Sequence, residues 1–270
     1  MEYLELIMKD VPADLSELLV YRLTEAGFDS FAEEGSEFRA YVLQELFDKE
    51  AVDGIISETG LRYIVRDLPD QNWNKEWEKN FSPVMIPGGC FIRAPFHESD
   101  PTAKFEIIIE PKMSFGTAHH ETTAMMIGTM LGKDFRNKNV LDMGCGTGVL
   151  AILAHKMGAA FIVAIDNDTW AYTNTIENCE RNDAESIIVK QGDVGDITGE
   201  FEIILANINR NILLEQIATY ARCLVSGGEL IMSGFYETDL PMIRQEAEKN
   251  GLTYAEHRTM NNWVAATFIQ

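Results

Sequence analysis

The stretch Asn139-Val140-Leu141-Asp142-Met143-Gly144-Cys145-Gly146-Thr147-Gly148-Val149-Leu150 constrains this chain more than any other. An apolar strand runs into an acidic residue and three alternate glycines, and a helical pattern starts at once. Glycines let the backbone turn sharply and let a ligand approach it closely. A dinucleotide asks for G-x-G-x-x-G, with its pyrophosphate on the helix N-terminus. Here the spacing is G-x-G-x-G, and Val149 stands where the last glycine would fall. Asp142 adds a carboxylate that would repel a pyrophosphate and suit a ligand carrying an amine. S-adenosylmethionine, with a sulfonium, an amino-acid head and no phosphate, is such a ligand.

The pattern around this stretch is that of an α/β domain. Helical spacing covers 122–131, 149–157, 169–182, 211–223 and 240–250, and β-like runs cover 139–142, 161–166, 186–191, 201–206 and 229–233. A pair of strands ends the chain. Strands alternating with helices predict a doubly wound, mostly parallel sheet, which binds ligands at the carboxyl ends of its strands. Asp166 ends the second strand, where an acid is placed to bind both ribose hydroxyls. Asp168 reads as helix N-terminal charge. Gly192-Asp193-Val194 ends the third strand and reads either as an adenine-edge contact or as a simple turn. The apolar run Ile203-Ile204-Leu205-Ala206 delivers Asn207 at a strand end. Many adenine methyltransferases carry N-P-P-Y/F there, with the aromatic stacking a flipped base. Ile208-Asn209-Arg210 has neither proline nor aromatic, so nucleobase methylation is disfavoured.

Ahead of the glycines stands Met113-Ser114-Phe115-Gly116-Thr117-Ala118-His119-His120-Glu121-Thr122-Thr123. Adjacent histidines diverge and no third ligand is evident, so a metal site is not expected. Thr122 and Thr123 would equally serve as caps of the following helix.

The first 67 residues read β-α-β-β-α-β, the order of a ferredoxin-like fold. Met1 to Lys9 alternates as a half-buried strand does, and Pro12 opens a helix that Gly27 stops. Strands follow at 28–34 and 37–43, joined by the turn Glu34-Gly35-Ser36, then a helix at 48–59 and a strand at 61–67. A polar connector over 68–82 carries Trp73 and Trp77 on one helical face. It leads to β-like stretches at 89–95 and 105–109. The expected domains are 1–67, the connector 68–82, and 83–270.

Charge excludes further classes. Lys and Arg number 22 against 43 Asp and Glu, a net of −21 in 270 residues. Such a surface repels phosphate backbones and anionic lipid and favours a basic or neutral partner. No run of 18 apolar residues would span a membrane. The N-terminus lacks the basic and apolar regions of a signal peptide. Four scattered cysteines with no C-x-x-C suit a reducing cytoplasm.

These residues together resemble a family, the bacterial methyltransferases of large-subunit ribosomal protein L-eleven. The resemblance covers nearly the whole chain. The family's W-x-x-x-W-x-x-x-F is met by Trp73, Trp77 and Phe81. Its F-G-T-G-x-H-x-T-T is met by Phe115, Gly116, Thr117, His120, Thr122 and Thr123. Its D-x-G-C-G-S/T-G-x-L-A is met from Asp142 to Ala151, and its A-N-I by Ala206, Asn207 and Ile208. Departures are Ala118 for glycine, His119 at the variable position, Glu121 for the usual proline, and Asn209-Arg210-Asn211.

The resemblance implies a class I (Rossmann-like) methyltransferase domain behind a small α+β ferredoxin-like module. It implies cofactor contacts at Thr123, Gly144, Asp166 and Asn207; the motif positions Phe115, Thr117, Asp142 and Gly146 are further candidates. The implied reaction moves methyl groups from S-adenosylmethionine to lysine side chains and the N-terminal amine of the ribosomal protein, up to trimethylation. Asn207 is the expected catalytic residue, its amide oxygen orienting the amine. A monomer without metal, nucleic acid or membrane is expected. The alternatives are a class I methyltransferase acting on another protein or a small molecule, and a cofactor-sensing ribosome assembly factor with no turnover. Residues 1–67 hold six basic and 16 acidic residues, −10 of the net −21. This excess becomes a candidate docking surface for a basic protein.

Overall fold

The computed structural model describes residues 3–9, 11–28, 30–34, 37–57, 59–68, 82–110, 116 and 119–270. The chain divides into two compact units, Met1–Asn80 and Phe81–Gln270. The connector residues Trp73, Trp77 and Phe81, the turn at Gly35-Ser36, and the motif residues Phe115, Thr117 and Ala118 lie outside the described residues.

The first unit is built from β1 (Tyr3–Lys9), α1 (Ala13–Glu25), β2 (Ser30–Glu34), β3 (Glu37–Leu43), α2 (Lys49–Ser57) and β4 (Tyr63–Leu68). Its sheet runs β2-β3-β1-β4, every neighbour antiparallel, which is the ferredoxin-like arrangement. Leu4, Leu6 and Met8 pack with Phe38, Ala40 and Val42 against Leu19 and Leu23 of α1 and Val52 and Ile56 of α2. Two details differ from expectation. Phe28 is no strand residue: its N–H closes the end of α1 on the Leu23 carbonyl, and its ring is buried. Strand β1 buries side chains on both faces, not one: Glu5 and Ile7 are buried as well. The Glu5 carboxylate accepts from Arg39 (3.2 Å) and the Tyr41 hydroxyl (3.3 Å) of β3, which makes its burial tolerable.

The second unit opens with a small sheet of β5 (Val84–Ile86), β6 (Cys90–Arg93) and β7 (Phe105–Ile108). Its main elements are α3 (Glu121–Met130), β8 (Asn139–Met143), α4 (Val149–Lys156), β9 (Phe161–Asp166), α5 (Thr169–Arg181), β10 (Ile188–Gln191), β11 (Phe201–Asn207), α6 (Arg210–Cys223), β12 (Leu224–Tyr236), α7 (Leu240–Lys249), β13 (Thr253–Met260) and β14 (Trp263–Ile269). The seven-stranded sheet runs β10-β9-β8-β11-β12-β14-β13. The first five strands are parallel, and β14 and β13 are antiparallel additions.

Period-two alternation feeds two cores. Val140, Ile162, Ala164, Ile203 and Leu205 pack on the side of α3 and α4. Leu141, Met143, Val163, Ile165, Ile204 and Ala206 pack on the side of α6 and α7. Strand β8 neighbours both β9 and β11, so strand order reverses there, and the crevice for a ligand opens at its carboxyl end.

Candidate active site

The loop leaving β8 crosses that crevice. Gly144 (φ +70°), Gly146 (φ +57°) and Gly148 (φ +79°) all take left-handed backbone, and α4 begins at Val149. The N–H groups of Gly144 and Cys145 both reach the Ile165 carbonyl (2.8 and 3.1 Å), which moors the loop to β9. Expectation gave the glycines to ligand access; at Gly144 the structure gives another cause. A Cβ there would sit 2.2 Å from Ile208 Cγ2, and one on Gly234 (φ +96°) would sit 2.1 Å from the Ile208 carbonyl oxygen. Ile208 is seated between two glycines, and its neighbour Asn207 is thereby held at the crevice.

Gly144, Gly146, Asp166, Asp168, Asn207 and Trp263 are among the residues that line one cavity of about 950 Å³. The Asp166 carboxylate is fixed by two amides: Oδ2 accepts from Gly146 N–H (2.9 Å) and Oδ1 from Asp168 N–H (3.0 Å). A carboxylate has about four acceptor sites, so each oxygen keeps one for a hydroxyl. Asp168 caps α5, accepting from the Trp170 and Ala171 amides. Among the described residues, Asp166 and Asp168 line the cavity and no Lys or Arg does, a lining that suits a cation.

Asn207 ends β11. Its Nδ2 donates to Thr123 Oγ1 at 3.2 Å, while its Oδ1 is buried and has no partner among the described residues. Thr123 therefore stands behind Asn207 and does not line the cavity. Asp142 is also absent from the wall. It is 1% exposed; Oδ2 accepts from Ala151 N–H (3.1 Å) at the first turn of α4, and Oδ1 has no partner among the described residues. Burial, with the nearby Asp166 charge, pushes its pKa up to about 7 against the opposing Ala151 bond. The direct contact with a ligand amine expected of Asp142 is replaced by a place beneath the loop.

The other readings resolve locally. Gly192 is followed by a turn in which Asp193 and Asp196 cap each other, and Asp193 does not line the cavity. His120 caps α3, bonding the Thr122 amide (3.2 Å) and hydroxyl (2.9 Å), so Thr122 and Thr123 are not the caps. His119 Nε2 meets the Ser82 carbonyl at 2.8 Å. Glu121, the departure from proline, accepts from Asn261 Nδ2 at the tip of the β13–β14 turn (2.8 Å).

Sequence reasoning missed the aromatic wall. Trp263 lies edge to His120 (4.8 Å between ring centres) and stacks on Tyr236 (4.1 Å). These partners are far apart in sequence: the β12–β14 pairing sets Tyr236 opposite Trp263, and His120 arrives from the N-terminus of α3. Trp170, 79% exposed, stands at the rim; its position two residues after a capping Asp was a usable signal.

The family model for ribosomal protein L11 methyltransferase (PrmA) matches residues 25–270. The chain belongs to that family. A relative named ribosomal protein L11 methyltransferase from Bacteroides thetaiotaomicron is 45% identical over 278 residues, covering 99% of each chain. The Porphyromonas gingivalis relative of the same name is 45% identical over 260 residues, covering 93% of this chain and 90% of its own. The crystal structure of a ribosomal protein L11 methylase from Lactobacillus delbrueckii subsp. bulgaricus is 26% identical, with a TM-score of 0.67 over 70% of this chain and 99% of its own.

Family membership and fold make S-adenosylmethionine the cofactor, as expected. The cavity fits it on two observations: the two-amide grip on Asp166, and the carboxylates of Asp166 and Asp168 in its described lining.

Proposed function

We propose that this chain transfers methyl groups from S-adenosylmethionine to lysine side chains and the N-terminal amine of ribosomal protein L11. The enzyme works in the cytoplasm as a monomer, without contacting nucleic acid or membrane. When bound, S-adenosylmethionine supplies a methyl group activated on a positively charged sulfur. Asp166 would hold it through its two hydroxyls, with Gly144 and Gly146 against it.

The carrying observation is the state of Asn207. Thr123 anchors its nitrogen, and its oxygen is buried with nothing to accept among the described residues. A buried acceptor without a partner is costly, and an incoming N–H would relieve that cost. Accepting it turns the amine's lone pair toward the reacting centre, and orientation of this kind is a large part of catalysis. The amine must be neutral, although free lysine has a pKa of about 10.4. Ile208, Ile212 and Trp263 wall the cavity, and desolvation there favours the uncharged form. An amide acceptor carries no charge, so it does not trap a partly methylated ammonium; it orients the primary and monomethylated amines, whereas a neutral dimethylated amine has no N–H left to give and meets the methyl group without this bond.

The ferredoxin-like unit is the recognition module in this reading, because 16 of its first 67 residues are acidic and an rRNA-binding protein is basic. Incubating the chain with S-adenosylmethionine and the ribosomal protein, then weighing the product by mass spectrometry, tests the whole. Mass gains in steps of one methyl are expected. An unchanged mass with bound cofactor would favour the assembly-factor alternative.

A further inference from the structure

Helix α5 is a poor helix by composition. It holds Thr169, Thr173, Thr175, Asn174 and Asn178 within 13 residues, and both residue types disfavour helix interiors. It buries three of these polar side chains, Asn174, Thr175 and Asn178, and Asn182 at its end is buried too. Burying an amide is unfavourable unless its bonds are made. Asn174, Asn178 and Asn182 are four apart and form one stripe.

The stripe bonds in two directions. Toward β7, Asn182 takes both polar groups of Ile108 (N–H to Oδ1, 2.9 Å; Nδ2 to O, 2.6 Å), and Asn178 Oδ1 accepts from Glu110 N–H (2.9 Å). Toward the glycine loop, Asn178 Nδ2 donates to the Thr147 carbonyl (2.9 Å), and Thr175 Oγ1 donates to the Gly146 carbonyl (2.9 Å). The Thr175 proton is thus spent, so Cys145 Sγ at 3.4 Å is the donor to that hydroxyl. A Cβ on Gly148 would lie 2.8 Å from Thr175 Cγ2. Every residue from Cys145 to Gly148 is therefore met by Thr175 or Asn178.

Gly146 is gripped from both ends. Its N–H goes to Asp166 Oδ2, and its carbonyl goes to Thr175. Moving the Gly146 carbonyl moves the N–H that aims the Asp166 carboxylate into the cavity. We propose that Thr175 and Asn178 are positioning residues for the cofactor, setting from behind the loop the geometry with which Gly146 and Asp166 receive the adenosine. Neither lines the cavity, and both lie outside the stretches 115–123, 142–151 and 206–208 that carry the motifs. Asn182 is the internal contrast: it shares the stripe and its burial, but among the described residues its side chain bonds only Ile108 and the Asn178 carbonyl.

This inference rests on S-adenosylmethionine as the ligand. Isothermal titration of the full chain with S-adenosylmethionine, alongside thermal melts, separates the possibilities. Thr175→Val keeps the shape and should weaken the cofactor about tenfold, because the Gly146 carbonyl loses its buried donor. Asn178→Leu should do the same. Thr175→Ser should restore binding to within about threefold, since it returns the hydroxyl. In turnover, the KM for cofactor should rise while kcat at saturating cofactor and the KM for protein substrate stay near wild type. Asn182→Ala should lower Tm yet leave cofactor affinity unchanged. Wild-type affinity in folded Thr175→Val would overturn the proposal. So would an Asn182→Ala loss as large as that of Asn178→Leu, which would mark a general effect of stability. Failure of the wild-type chain to bind would instead sink the cofactor assignment on which this rests.

Discussion

The first unit buries, among its described residues, a single polar or charged side chain, Glu5. The second buries Asp142, Thr123, Thr147, Asn174, Thr175, Asn178 and Asn182, with others. Among the first unit's described residues, Glu45, Asp48, Glu50 and Asp53 are exposed, over a core of Leu, Met, Phe, Ala, Val and Ile. The second carries polarity into its interior, around the glycine loop and behind Asn207. Surface charge costs little and acts at long range, so it suits the capture of a charged partner. Buried polarity is expensive unless paired, so it accumulates where backbone must be held to a fixed geometry for chemistry. On this view the two units differ because one captures and the other aligns.

The sharpest break of that comparison uses two glycines in the same backbone state. Gly234 has φ +96° and no room, with a Cβ 2.1 Å from the Ile208 oxygen; Gly60 has φ +70° and nothing within 4 Å. Gly234→Ala must displace the backbone beside Asn207 and should lose about 3 kcal/mol or more, together with methyl transfer. Gly60→Ala meets only the left-handed penalty of about 1 kcal/mol. Equal Tm losses in the two variants would show that the closeness at Ile208 is without consequence.

Next in size is Asn207→Ala. It removes the acceptor but no part of the Asp166 grip. Roughly a 100-fold loss in kcat is expected, with cofactor affinity near wild type. A variant that kept full turnover while binding cofactor normally would end the role given to the amide oxygen.

Much of the fold was legible because its signals are local. The strand, glycine and helix sequence at 139–150 set α/β packing, and strand ends delivered Asp166 and Asn207. Asp142 was misplaced although the signal existed. Period-two alternation puts it on the same side as Val140, which packs toward α4, so its carboxylate meets the Ala151 amide and not the ligand. His120 was weighed as a metal ligand because an N-cap histidine looks the same in one dimension as a coordinating one. Trp263 against Tyr236, and Glu121 against Asn261, depend on the antiparallel β12–β14–β13 additions. Nothing local announces contacts made across 27 or 140 residues.

Asp142 makes the interior side of the comparison pH-sensitive. Its folded pKa, about 7, lies above the usual 3.8. The folded state therefore holds the proton more tightly, and the stability this gives is complete below about pH 4 and lost as pH rises through 7. Between pH 5 and pH 8 the loss should be about 2 to 3 kcal/mol at 1.36 kcal/mol per unit. Asp142→Asn cannot titrate, so its melting profile should be flatter than wild type by that amount. Parallel profiles would show that the buried carboxylate is already ionised at pH 5.

The smallest effect expected concerns the capturing side. Steering between an acidic unit and a basic protein is screened within a Debye length of about 10 Å at 0.1 M salt. Raising salt from about 0.05 to 0.3 M should lower kcat/KM for the ribosomal protein by roughly tenfold, chiefly through the association rate. Cofactor affinity should hardly change, because in the proposed site Asp166 would meet hydroxyls and the sulfonium would be a single charge inside a walled cavity. Neutralising acids on the first unit should flatten the salt dependence, whereas Thr175→Val should leave its slope intact. If the slope were instead carried by cofactor affinity, the acidic excess of residues 1–67 would serve solubility alone, and the division of labour between the units would fall.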